Sequence, residues 1–104
     1  MNRPYYSEYV RHMMRYYARS LYDNPIGHPP FKTEVDKNNW FACHSVVKHY
    51  SDIDQDILVS VYGGYDTLPD EVYNMAKKYR INQNIIWDLM KEFERRLAHR
   101  RGLI

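Results

Sequence analysis

The run Asn82-Gln83-Asn84 places three amide side chains in succession, each carrying both a donor and an acceptor. An Asn or Gln amide can bond adenine N6 and N7 together, so amides projecting into a major groove read base edges. The same run also makes an ordinary polar helix start, with Asn82 as N-cap and Gln83 and Asn84 solvated. Trp87 follows one turn after Gln83 and Asn84. It could rest against a thymine methyl or a sugar, or pack against a neighbouring helix or a partner. Lys77, Lys78, Arg80 and Lys91 flank these residues and are the candidate phosphate contacts, which position a protein on DNA without specifying sequence. A helix N-terminus capped by Asn82 also favours a phosphate oxygen.

Other chemistries fit less well. Cys43, His44 and His49 lie close together, but His44 and His49 are five apart, where helical zinc pairs use three or four, and no second ligand cluster follows. Cys43 falls on an apolar helix stripe. Asp52, Asp54 and Asp56 form an acidic helix start that suits the helix dipole. Gly63-Gly64 is a lone pair placed where a helix ends, not a phosphate loop. No nucleophile–base order with supporting glycines occurs. The expectation is therefore no enzyme, no metal and no cofactor.

The elements that would position these residues are helices. Apolar residues recur at Tyr6, Val10, Met13, Tyr17 and Leu21, one face of a helix from about Pro4 to Tyr22, and Tyr5, Tyr9, Met14 and Tyr16 widen that stripe. Pro25, Gly27, Pro29 and Pro30 make residues 23–32 a loop. Thr33-x-x-Asp36, Ser51-x-x-Asp54 and Thr67-x-x-Asp70 each fit a capping box ahead of a periodic run. The second helix then buries Trp40, Cys43, Val47 and Tyr50. The third buries Ile53, Ile57, Leu58 and Val61, and the fourth Val72, Met75, Ala76 and Tyr79. The fifth, from about Gln83 to Arg100, buries Ile86, Leu89, Met90, Phe93 and Leu97.

A chain of 104 residues suits one domain, here residues 1–104, with a tyrosine-rich part over 1–50 and a second part over 51–104. One cysteine permits no internal disulfide and fits a reducing compartment. No apolar run approaches the roughly 20 residues that span a bilayer. These features predict a cytoplasmic protein with no membrane partner. The formal charge is only +2, yet it is segregated. Residues 51–76 hold six acids and no Lys or Arg, whereas residues 77–104 hold eight bases against three acids. That permits one basic face, although solvated helix faces give the same pattern.

Two helices joined by three residues cross steeply only when their contacts have fixed sizes. Ala76 supplies the small residue at the crossing, Ile81 the plug in the turn, and Ile86 and Leu89 the anchors on the second helix, with Val72 and Tyr79 beneath the first. The order Asp54, Ile57-Leu58, Tyr62, Glu71-Val72, Ala76, Tyr79, Ile81, Ile86, Leu89 resembles the C-terminal helix-turn-helix domain (region 4) of sigma-70-type factors and related small phage-type regulators. The resemblance covers about 48 of 104 residues, from Ser51 to Ala98. It implies an all-α fold with a helix-turn-helix over residues 68–98, whose second helix enters the major groove of double-stranded DNA. It also implies that the preceding acidic helix faces RNA polymerase, and it suggests a phage or mobile-element origin. The turn position that such motifs usually give to Gly is Arg80, at about 1 kcal/mol for a left-handed non-Gly residue. Asp88 stands on the exposed side of the reading helix, where a carboxylate suits only a cytosine amine.

Six of the first 22 residues are tyrosines, interleaved with Arg3, Arg11, Arg15 and Arg19. A helix buried on two sides, a homodimer surface and a nucleic-acid surface all fit this composition. The last three arginines, four apart, are expected to form their own polar face, which favours core plus dimer contact. The reading as a whole is an all-α, five-helix DNA-binding regulator. A non-enzymatic protein–protein interaction module, using the same helix pair and the tyrosine helix, is the alternative.

Overall fold

Each of the last four helices starts at a residue whose side chain takes up an orphan backbone N–H. Thr33 Oγ1 accepts from Asp36 N–H at 3.1 Å, Ser51 Oγ from Asp54 N–H at 3.2 Å and Thr67 Oγ1 from Asp70 N–H at 3.4 Å. Asn82 Oδ1 accepts from Asn84 N–H at 2.8 Å. The computed structural model describes residues 4–104, so Arg3 lies outside the described residues. The elements are α1 (Ser7–Asp23), α2 (Glu34–Val47), α3 (Asp52–Gly63), α4 (Leu68–Tyr79) and α5 (Gln83–Arg100). No strand occurs among the described residues. The first helix begins three residues later than its apolar spacing suggests, because Pro4 to Tyr6 form a turn closed by Ser7 N–H on the Pro4 carbonyl at 3.1 Å.

Helix α1 lies against α2, α3 and α5, while α4 packs on α3 and α5. Their shared core is built from Val10, Met14, Cys43, Ile57, Leu58, Val61, Val72, Ile86, Met90, Phe93 and Leu97, all essentially inaccessible to water. The radius of gyration, 13.3 Å, is close to the roughly 13 Å expected for one compact unit of this length, so the five helices form a single domain. No helix among the described residues is long and apolar enough to cross a membrane.

Three expectations need correction. Ile53 is not core: it stays 53% exposed, because periodicity names a helix face but not how far along the helix a neighbour reaches. Tyr5 and Tyr9 do not widen the buried stripe of the first helix, being 78% and 42% exposed. Arg11, Arg15 and Arg19 do not form a common solvated face. Arg11 Nε donates to the buried Glu94 carboxylate at 2.9 Å, and Tyr62 OH donates to the same oxygen at 2.7 Å, tying α1, α3 and α5 together. Arg19 bonds the carbonyls of Gly63 (3.3 Å) and Gly64 (3.2 Å) at the end of α3, and its guanidinium lies over the Tyr65 ring. Only Arg15 keeps to the exposed side. The glycine pair ends α3 as its sequence suggests, but Gly64 has no left-handed backbone (φ −67°), and at Gly63 the need for glycine is one of space. A Cβ on Gly63 would stand 2.9 Å from Ala18 Cβ, whereas one on Gly64 would meet only the flexible Glu71 side chain.

Candidate nucleic-acid interface

Helix α4 stops because Arg80 adopts a left-handed conformation, φ 56° and ψ 46°. Its N–H and that of Ile81 both turn back to the Ala76 carbonyl, the latter at 3.0 Å, which satisfies an orphan carbonyl in the manner of a Schellman end. Ile81 then packs against the core, and Ala76, 7% exposed, is the small residue beside the turn. Asn82 starts α5 three residues after Tyr79. Val72 and Ile86 are fully buried, and Tyr79 and Leu89 are partly buried against the same core. Six contact positions read from the sequence thus turn inward or into the turn as their sizes required.

The exposed edge above that joint is an open groove of about 610 Å³ lined by Lys77 of α4 and by Asn82, Gln83 and Asn84. Asn82 spends its carbonyl oxygen on the cap, so paired donor–acceptor contact falls to Gln83 and Asn84, both exposed and free of other side-chain bonds among the described residues. Tyr73, one turn before Lys77 and 54% exposed, lines the same groove. The spacing of four between Tyr73 and Lys77 is the signal in the sequence that sets both on one face of α4.

The four candidate cations separate. Lys77 stands on the groove. Lys78 turns the other way, to Asp56 of α3, with Nζ 2.7 Å from Oδ2. The Tyr79 hydroxyl donates to that same oxygen and Ser60 Oγ donates to Oδ1 at 3.2 Å. The bond from Lys78, then that from Tyr79, holds the Asp56 carboxyl below its usual range. Lys78 and the Tyr79 phenol are both raised, chiefly by their bonds to Asp56. This cluster fastens α4 to α3. Arg80 is exposed at the turn. Lys91 lies farther along α5, in a separate depression shared with Asp88, Glu92 and Arg95 beside Pro4 and Tyr6. Trp87 is partly buried and packs against the core, the second of the two roles its position allowed.

Elsewhere, Cys43 is fully buried, and burial pushes its thiol up, away from the thiolate that a nucleophile or ligand needs. His44 stacks on Trp40 with ring centroids 5.1 Å apart, and its Nδ1 is 3.0 Å from Tyr17 OH. Among the described residues no group of three or more His, Cys, Asp or Glu side chains is placed to hold a metal ion. No protein-family model matches the chain, and neither a curated protein nor a solved structure is significantly similar to it.

Proposed function

We propose that the chain is a non-enzymatic, DNA-binding transcriptional regulator in which α4 and α5 act as a helix-turn-helix, sigma-factor-like in this half. The observation that carries the reading is the groove shared by Lys77, Gln83 and Asn84, where one phosphate-seeking cation lies beside two free amides at the exposed start of α5. In this reading Gln83 and Asn84 take adenine edges, while Lys77 and Arg80 take phosphates. Lys91 contacts backbone only where the duplex extends along α5, and the capped start of α5 faces the groove. The acidic start of α3, exposed at Asp52 and partly buried at Asp54, is the surface offered to RNA polymerase.

The test is fluorescence anisotropy of the protein on a genomic DNA fragment pool across a salt series. Binding should weaken with salt at a slope of roughly −0.9 per phosphate contact, and Lys77→Ala should make that slope shallower by about one. Lys78→Ala should leave it unchanged, since Asp56 already holds that amine. No binding at low salt by a folded protein would remove the DNA reading. A protein–protein module is the second reading, and one observation favours it: Tyr5, in the turn before α1, and Tyr9, in its first turn, remain 78% and 42% exposed. They would form the centre of a homodimer contact.

A further inference from the structure

A second concavity, of about 570 Å³, opens between α1, the loop of residues 24–33 and the start of α2, and shares no residue with the α4–α5 groove. Its volume lies in the range of roughly 300–1,000 Å³ usual for small-molecule sites. Its wall is preformed. Asn24 bonds the Ser20 carbonyl through its backbone N–H at 2.8 Å and its side-chain amide at 3.2 Å. Farther on, His28 stacks on Phe31 with centroids 4.9 Å apart, Pro29 is buried, and Thr33 caps α2.

Of the charges on this wall, Arg19 is bonded to the Gly63 and Gly64 carbonyls, and the others have no partner among the described residues. Arg15 on α1 and Lys32 on the loop both line the concavity, and neither makes a hydrogen bond or ion pair among the described residues. Asp23 and Asp36 line it too, and neither carboxylate accepts a hydrogen bond from the described residues. Cations and carboxylates therefore share one small space without neutralising each other, which calls for a ligand that has an anionic end and a separate donor edge. Tyr16, half-buried, lines the same concavity, and its phenol is raised by burial and then by Asp36.

We infer that this concavity is a mononucleotide site, with Arg15 and Lys32 on the phosphate, the Tyr16 ring against the base and the Asp36 carboxylate on the base's N–H edge. A guanidinium meets phosphate oxygens in a two-pronged fork, and the lysine adds a point charge. An aromatic ring stacks on any base. A carboxylate has only acceptors, so it selects a base edge with two adjacent donors. Guanine, with its ring N–H and amine, has that edge; adenine presents an amine beside a bare ring nitrogen. The ligand class is therefore a guanine mononucleotide.

The full chain can be titrated with GMP, AMP, guanosine and inorganic phosphate while backbone amide NMR shifts are followed. GMP is expected to saturate with shifts centred on Arg15, Tyr16, Lys32 and Asp36, binding about tenfold or more tighter than either guanosine or phosphate, since each half-ligand forgoes one set of contacts. Arg15→Ala with Lys32→Ala should weaken GMP by at least about tenfold, and Asp36→Asn should abolish the preference of GMP over AMP. All three positions are at the surface of the fold, so the unchanged amide spectrum elsewhere verifies folding. No saturable shift with millimolar GMP overturns the inference. So does GMP binding that the double variant leaves intact, or wild-type binding that does not distinguish GMP from AMP.

Discussion

Replacing Glu94 tests how this small domain joins its two halves. The carboxylate is 6% exposed at its side chain and takes two bonds on one oxygen, from Arg11 at 2.9 Å and Tyr62 at 2.7 Å. In Glu94→Ala the buried Tyr62 hydroxyl, on a residue 2% exposed, loses its acceptor, a cost of about 1–3 kcal/mol. Arg11 loses its counter-charge, and breaking a fully buried pair costs about 3–5 kcal/mol. Its side chain is 20% exposed, so partial hydration offsets some of that loss. The net expectation is about 3 kcal/mol, a large share of the 5–15 kcal/mol that holds a domain folded. In urea denaturation followed by circular dichroism this is a midpoint shift at constant slope, with a fall in Tm of about 12–15 °C. A triple variant, Arg11→Met, Tyr62→Phe and Glu94→Leu, should recover most of the loss, because no polar group is then left buried without a partner. A cost below about 1 kcal/mol for Glu94→Ala would refute the reasoning, since it would mean water reaches all three groups.

Gly63→Ala should destabilise the fold by about 1–3 kcal/mol, measurable in the same urea titration, because its new Cβ would meet Ala18 Cβ at 2.9 Å between packed helices. Arg80→Gly should instead stabilise by about 0.5–1 kcal/mol, as glycine carries no Cβ penalty at φ 56°, and Arg80→Ala should bring no such gain. Alkali should unfold the protein cooperatively. Burial pushes the Tyr17 phenol from 10.0 up to about 12, and Tyr62 is raised by burial and then by Glu94. Groups with raised folded pKa values stabilise fully below their unfolded value and lose that contribution as pH rises through the folded one. Absorbance at the tyrosinate band should therefore rise steeply with unfolding, and Tyr17→Phe should diminish the stability lost between pH 10 and 12.

Much of the architecture follows from local chemistry that a linear chain displays. The N-caps at Thr33, Ser51, Thr67 and Asn82 act within three residues, so the starts of α2 to α5 are local events, and the structure has each one. Apolar period marked the buried sides of the helices for the same reason, failing at Ile53, Tyr5 and Tyr9, where the face continues but the neighbour does not. The three-residue joint from Arg80 to Asn82 was equally legible, because a left-handed residue and a turn plug depend on adjacent residues.

Long, flexible side chains were not legible in this way. The partner of Arg11 is 83 residues away and that of Lys78 is 22 away, so nothing in the local pattern says that one arginine is structural while Arg15 is free. The candidate cations looked equivalent as a list. Only the packing of α4 on α3 turned Lys78 to Asp56 and left Lys77 beside Gln83 and Asn84. Concavities are decided at the same level, since the space by Arg15, Tyr16, Lys32 and Asp36 exists only where α1, a proline loop and the start of α2 converge. Backbone periodicity and caps are short-range and therefore written in the sequence. Charge pairing and cavity shape depend on which distant surfaces meet, and only the tertiary structure decides that.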